Sequence, residues 1–171
     1  MQTDAAVAAY LAGAFDSDGT IGIRRSTYAQ RVRGDAGAPV YSERIGLKQV
    51  TPQIPELLRE TFGGSLMIQR SSTTKGRPLH YWEATNRVAA EALRMMLPHL
   101  RIKLLQAEAC LALRASKDLP RSEQRVQNEE PSISRNRWGD TAIRRWVVAP
   151  HVLAERERLY LLVKELNRVG A

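Results

Sequence analysis

The chain has 171 residues, with 26 lysines and arginines against 18 aspartates and glutamates, so its formal net charge is +8 at pH 7. This length suffices for one domain with a hydrophobic core, and the positive charge attracts polyanions, with nucleic acid the first candidate and an acidic membrane surface the second. No apolar run approaches the roughly 20 residues of a membrane span, and the single cysteine, Cys110, excludes an internal disulfide framework and a cysteine-rich zinc site.

The first predicted element is a helix from Ala5 to Ser17, because this segment is rich in alanine, the best helix former. Asp4 precedes it as a candidate N-cap. Gly13 costs the helix roughly 1 kcal/mol relative to alanine, which makes sense where a second backbone approaches closely. Ala9, Gly13 and Ser17 lie on one face. This small, smooth face suits close packing against another helix.

Two carboxylates, Asp16 and Asp18, end this helix, and Gly19 follows as a stop. The C-terminus of a helix carries partial negative charge, so two acidic side chains there are unfavourable without a cation. Few carboxylate ligands, completed by water and phosphate oxygens, suit Mg²⁺. The alternative interpretation of Asp16 to Gly19 alone is a capped, solvent-exposed helix end, because such tetrapeptides are common at turns.

After Gly19 the apolar period changes from helical to alternating, which indicates strands. The remaining predicted elements, in chain order, are a strand with Ile21 and Ile23 inward, a hairpin loop at 33–39, a strand at 40–49, a helix from Thr51-Pro52 to Gly63-Gly64, a second hairpin with a turn at 74–78 and a return strand at 79–85, helices at 87–97 and 100–116, and a C-terminal amphipathic helix at 152–169. Four strands in two hairpins predict an antiparallel sheet with one covered face, and an α+β fold.

Residues 117–150 differ from the rest of the chain, because they are polar and rich in arginine and proline. They predict an extended basic loop with short helices, parts of which pack down through aromatic side chains. Cys110 lies in an alanine- and leucine-rich segment, which favours a small core residue over a nucleophile.

The uncovered face of the predicted sheet is basic, because strand alternation places Arg24, Ser26, Arg44 and Lys48 on it. A twisted, positively charged sheet can enter the major groove of DNA, which accepts a β-ribbon. An ordinary solvated sheet face is the alternative, and Glu43 in the same hairpin offsets some of the charge.

The segment LAGAFDSDG, from Leu11 to Gly19, resembles the signature of the LAGLIDADG homing endonucleases, with departures at Ala14, Phe15 and Ser17. Two further stretches, at 45–66 and 82–113, are similar to the strand–helix–glycine passage and the final strand and helix pair of that family. The resemblance covers about residues 5–115. It implies an αββαββα fold: a saddle-shaped antiparallel sheet of four strands, helices on one face, and additional C-terminal helices.

The resemblance also implies a single domain over 1–171, with a core at about 4–116, an extended basic loop at 117–150 and a C-terminal helix at 151–171. The sequence contains one signature segment and no repeat of it. In this family such chains form homodimers, which cut both strands of a long, near-palindromic DNA site. The predicted dimer interface comprises Ala9, Leu11, Ala12, Gly13 and Asp16.

By the same resemblance, Asp18 and the backbone carbonyl of Ser17 are the expected metal ligands, Gln49 orders water at the metal, with Gln53 as a weaker alternative, and Lys103 lies near the scissile phosphate. The expected cofactor is Mg²⁺, with Mn²⁺ as a substitute and Ca²⁺ binding without supporting cleavage. The residues expected to contact DNA are Arg24, Ser26, Tyr28, Ser42, Arg44, Lys48, Gln69, Arg70, Lys75 and Arg77. His80, His99 and His151 receive no catalytic role.

Two alternatives to the endonuclease stay open at this point, a sequence-specific DNA-binding protein that does not cleave and an intron RNA maturase of the same fold. The expected partners are double-stranded DNA and a second copy of the chain, with no membrane. The absence of an evident secretory leader and the single cysteine favour an intracellular, reducing compartment. The alanine- and arginine-rich composition favours a bacterial or phage cytoplasm, with an organelle as the alternative.

Overall fold

A computed structural model of the chain describes residues 5–26, 38–70, 76–127, 129, 132–143 and 146–169. Its elements are α1 (Ala5–Asp18), β1 (Gly19–Ser26), β2 (Val40–Gln49), α2 (Gln53–Phe62), β3 (Ser65–Gln69), β4 (Leu79–Thr85), α3 (Asn86–Met96), a 3₁₀ turn (Leu97–His99), α4 (Leu104–Asp118), α5 (Arg121–Gln124), β5 (Arg125–Gln127), β6 (Ser132–Asn136), β7 (Gly139–Ile143), β8 (Trp146–Val148) and α6 (Pro150–Val169). None of the helices in these ranges is long and apolar enough to cross a membrane.

The main sheet is antiparallel, with strand order β1-β2-β4-β3, so the predicted α+β fold is confirmed. The helices cover the face that carries Ile45 and Leu47, whose side chains are buried. At the centre of this core Trp82 of β4 lies edge-on to Phe15 of α1, with ring centroids 5.9 Å apart. The alternation of β2 therefore separates a covered apolar face from a second face, here called the open face.

Glu43 does not lie on the open face, so it does not offset the basic charge there. It shares the covered face with Ile45 and is 0% exposed, because Arg114 and Lys117 of α4 donate to its Oε2 at 2.8 and 2.9 Å. Breaking such a buried pair by removing one partner costs several kcal/mol, about 3–5. The cluster fixes the C-terminal half of α4 to the start of β2.

The prediction of an extended loop with short helices over 117–150 is wrong in its larger part. After the short α5, β5 pairs with β8 and β6 pairs with β7, both antiparallel. The two ladders are nested in sequence order and form an arm with the turn at Arg137 and Trp138. The aromatic side chains do not pack down, since Trp138 is 82% exposed and Trp146 is 52% exposed.

The C-terminal helix α6 follows the edge strand β1, as the amphipathic pattern at 152–169 predicts. Its Asn167 amide donates to the Ile21 carbonyl at 2.9 Å, and its Glu157 forms an ion pair with Arg25 at 3.1 Å. Glu157 also accepts a hydrogen bond from the Tyr41 hydroxyl. α6 therefore continues the helical layer out to the edge of the sheet. The predicted loop at 33–39 lies outside the described residues, except for its last two positions.

Cys110 is a buried core residue, as predicted. Burial raises the pKa of its thiol to about 12, with the Glu43 carboxylate contributing in the same direction. The thiolate is the reactive form, so the folded chain is expected to resist alkylation by iodoacetamide at pH 8 and to react once denaturant unfolds it. Mass spectrometry after a timed quench measures this. Rapid alkylation of the native chain would contradict the burial of Cys110.

Candidate functional site

The C-terminal end of α1 brings Asp18 and Gln49 together. Gln49 Nε2 donates to Asp18 Oδ2 at 3.1 Å, and Ser17 Oγ donates to Asp18 Oδ1 at 3.2 Å. Gly19 permits the tight entry into β1, because a Cβ there would lie 2.3 Å from Phe15 Cδ1. Gln53, the weaker alternative, is exposed on α2. Gln49, which the resemblance places at the metal, is therefore the glutamine that contacts the Asp18 carboxylate.

Lys103 lies at the same end of α1. Its Nζ donates to the carbonyls of Phe15 and Asp16 at 2.6 and 2.8 Å, and to that of Ser17 at 3.4 Å. These carbonyls have no partner within the helix and carry its partial negative charge, which a cation stabilises. Burial lowers the pKa of Lys103, and the charges of Asp16 and Asp18 oppose that shift.

Asp16 holds the segment that carries Lys103. Its carboxylate accepts hydrogen bonds from the backbone N–H groups of Arg101, Ile102 and Lys103 at 2.7, 3.2 and 3.0 Å. These groups precede α4, so the predicted helix start at Leu100 is four residues too early. The backbone of Leu100 is extended, and the Asp16 carboxylate holds the three residues that follow it in a bend before α4 begins. Arg101 itself is exposed.

The predicted interface on α1 needs one correction. Leu11 and Ala12 are each 0% exposed within the single chain, so they have no surface left for a partner. Ala9 is half-buried and Gly13 is exposed, and a Cβ at Gly13 would have no atom within 4 Å. Tyr10, the sequence neighbour of Ala9, is 58% exposed.

A cavity of about 610 Å³ joins Asp18 to the open face, where its lining includes Arg24, Arg44, Lys48 and Tyr81. The other residues expected to contact DNA divide by exposure. Ser26 and Ser42 are half-buried, and Gln69, Arg70 and Arg77 are exposed. Tyr28 and Lys75 lie outside the described residues. Three of the predicted contact residues, Arg24, Arg44 and Lys48, therefore line one basic groove that reaches Asp18.

Sequence reasoning missed two residues on the open face, Tyr81 and Glu83 of β4. Arg44 donates to Glu83 through Nε at 2.9 Å and through Nη2, and Nη2 also lies 3.4 Å from the Tyr81 hydroxyl. Burial alone would raise the pKa of Glu83, but hydrogen bonds from Tyr81 and Arg44 outweigh it and hold that pKa below its usual value. The alternation of β4 was the available signal, because it places Tyr81 and Glu83 opposite Trp82.

No protein-family model matches the sequence, and no curated protein matches it. Solved structures do match its fold. The homing endonuclease I-CvuI, in complex with its target, aligns with a TM-score of 0.62 at 18% identity over 95% of this chain and 82% of that one. The archaeal intron-encoded homing endonuclease I-Vdi141I, complexed with DNA, aligns at 0.61 and 10% identity over 93% and 82%. The homing endonuclease I-TnaI aligns at 0.57 and 12% identity over 98% and 96%.

This chain has the LAGLIDADG homing endonuclease fold. The matches extend over most of the chain and of the known structures, so they include the C-terminal region that the sequence resemblance covered only loosely. At these identities they establish the architecture, and the chemistry has to be argued from the side chains.

One copy of the LAGLIDADG fold offers few ligands for a metal ion. Within the ranges described above, no group of three or more histidine, cysteine, aspartate or glutamate side chains could hold one. The available donors at the end of α1 are the Asp18 carboxylate, which is exposed, and the Ser17 carbonyl, which Lys103 reaches only at 3.4 Å. Oxygen donors of this kind suit a hard divalent cation.

Proposed function

We propose that the chain is a site-specific DNA endonuclease that works as a homodimer and requires a divalent metal ion. The observation that carries this proposal is the convergence of Asp18, Gln49 and Lys103 at one end of α1, where the basic open face begins. A helix end with only a structural role does not require these three side chains in one place. Hydrolysis of a phosphodiester uses a cation site, an oriented water and a positive charge in the same place.

Asp18 and the Ser17 carbonyl are the residues that would hold Mg²⁺, with Mn²⁺ as a substitute and Ca²⁺ as an ion that binds without supporting cleavage. A bound divalent ion lowers the pKa of a water ligand and stabilises the attacking and leaving oxygens of the phosphate. Gln49 orients Asp18 through its amide N–H, and its amide oxygen can accept a hydrogen bond from water. Two copies of the chain supply two such carboxylates.

Lys103 contributes a positive charge that Asp16 and the carbonyls of α1 keep in position. Preorganised charges of this kind stabilise the negative charge that develops on a phosphate in the transition state. The burial that lowers the pKa of Lys103 also limits the water that competes with a phosphate for its ammonium group. Lys103 is thus suited to act on the phosphate.

The open face supplies the DNA-binding surface. Arg24, Arg44 and Lys48 line it, and a β-sheet surface of this kind can read base edges in the major groove. A symmetric dimer places the same surface on two half-sites, so we expect a near-palindromic target. This expectation distinguishes the homodimer from a monomer that reads an asymmetric site.

The decisive experiment is incubation of the chain with a randomised plasmid library in Mg²⁺, with Ca²⁺ as the matched control, followed by sequencing of the ends. Defined cuts at one near-palindromic sequence in Mg²⁺ alone are expected. Retention of specific DNA without cuts in any divalent ion would favour a DNA-binding protein that does not cleave. Binding and splicing of an intron RNA, without DNA cleavage, would favour a maturase.

A further inference from the structure

Glu83 is an acidic side chain on a basic surface. Among the described strand residues of the open face it is the one carboxylate, because the other positions carry arginine, lysine, serine, threonine, glutamine, glycine or apolar residues. A carboxylate on a face that meets phosphates is unfavourable through like-charge repulsion. Its presence therefore calls for a partner that a carboxylate can recognise.

Among the described residues, the hydrogen bonds to Glu83 all fall on one of its two oxygens. Arg44 Nε, Arg44 Nη2 and the Tyr81 hydroxyl all donate to Oε2. Oε1 of Glu83 and Nη1 of Arg44 take no part in these bonds. An acceptor and a donor therefore stand next to each other on the open face, where Arg44 retains 46% and Glu83 20% side-chain exposure.

The position of this pair is fixed by Tyr81. The Tyr81 ring packs over Gly46, where a Cβ would lie only 2.8 Å from Tyr81 Cε2, and Lys48 Nζ lies 4.9 Å from the ring centroid. Tyr81 is 9% exposed. Because β2 and β4 are the two central strands of the sheet, this support is rigid, and the Arg44 and Glu83 groups are held at one place on the surface.

We propose that Arg44 and Glu83 act as one unit that reads a single G·C base pair in each half-site. This inference rests on the proposed function. Arginine donates to the O6 and N7 acceptors of guanine, and glutamate accepts from the N4 amino group of cytosine. Glu83 also restricts Arg44, whose guanidinium it holds through two nitrogens, so that Arg44 meets a base edge with little further loss of conformational freedom.

The test is selection of bound sequences from a randomised library in Ca²⁺, comparing the unmodified chain with Glu83→Gln and Arg44→Lys. Glu60→Gln is the matched control, because Glu60 is exposed on α2, away from the open face. We expect the unmodified chain to require G·C at one position of each half-site. Both test variants should lose about 10-fold of that preference, at the same position, with the other positions unchanged.

Three outcomes would count against the inference. An unchanged preference in both variants would remove Arg44 and Glu83 from base reading. A uniform loss of affinity on every sequence would make them phosphate or structural contacts. An unmodified chain that shows no sequence preference at all would overturn the proposed function together with this inference. If Glu83→Gln fails to fold, Arg44→Lys decides alone, since it retains the charge and loses only the forked geometry.

Discussion

An Asp18→Asn variant is expected to lose DNA cleavage while retaining DNA binding. Asparagine has the shape of aspartate and keeps an acceptor for the Gln49 amide, which donates at 3.1 Å, but it lacks the charge that holds a divalent ion. We expect the cleavage rate to fall by about 10²–10³-fold or more, the effect of removing one group that stabilises the transition state. The measurement is the single-turnover rate on the mapped target with Mg²⁺.

DNA affinity of the same variant, measured in Ca²⁺, should not weaken, since one negative charge less near the phosphates does not oppose binding. The control is Glu108→Gln, which removes a charge from the exposed side of α4. Cleavage at the unmodified rate by Asp18→Asn would remove Asp18 from the ligand role. Loss of DNA binding together with cleavage would show that Asp18 acts on the fold or the DNA rather than on the metal.

A Gly13→Leu variant is expected to fold as a monomer and to lose cleavage. Gly13 leaves a flat position on the exposed face of α1, and a leucine there would hold a second helix away. Within the chain itself the substitution meets open space, with no atom within 4 Å of the new Cβ, and it removes the helix cost of glycine. Sedimentation at several protein concentrations measures the oligomeric state.

The control for this variant is Ala112→Leu, at an exposed position of α4. Both variants should fold, as circular dichroism measures, and only Gly13→Leu should change the sedimentation coefficient. An unchanged dimer would refute the packing argument for the α1 face. A variant that unfolds, in contrast, would contradict the open surroundings of Gly13 in this structure.

The sequence allowed prediction of those parts of the fold that depend on local periodicity. The strand at Val40–Gln49 has the expected bounds, because alternating apolar residues and the following Thr51-Pro52 delimit it. The same alternation groups Gln49 with Ile45 and Leu47, and the role of Gln49 in ordering water at a metal, which the resemblance implies, stays a prediction. The bounds of the strand were predicted because side-chain direction in a strand follows from residue number alone.

The predictions that failed concern features that depend on residues far apart in the chain. The start of α4 shifted because Asp16 captures N–H groups more than 80 residues later. Leu11 and Ala12 were assigned to an interface because an apolar helix position can face its own core or a partner, and the sequence does not distinguish the two. Glu83 was not anticipated as the partner of Arg44, because it comes from another strand.

The prediction for residues 117–150, which contain the arm of β5 to β8, failed for a different reason. The strands of this arm have three to five residues, and they lack the apolar alternation that marks a half-buried strand. Pattern reasoning detects strands through burial. An exposed two-stranded arm therefore has the composition of a loop, and only its hydrogen-bond register reveals the pairing.

The position of α6 along β1 has a consequence for how the protein behaves in concentrated solution. The outer strand of a sheet carries unpaired backbone groups, which can recruit a strand from another molecule and begin aggregation. The Asn167 amide donates to the Ile21 carbonyl, and Glu157 of α6 forms an ion pair with Arg25 along the same edge of the sheet. At the opposite border, β3 is only five residues long. The chain thus restricts self-association through strand addition at these two borders of the sheet.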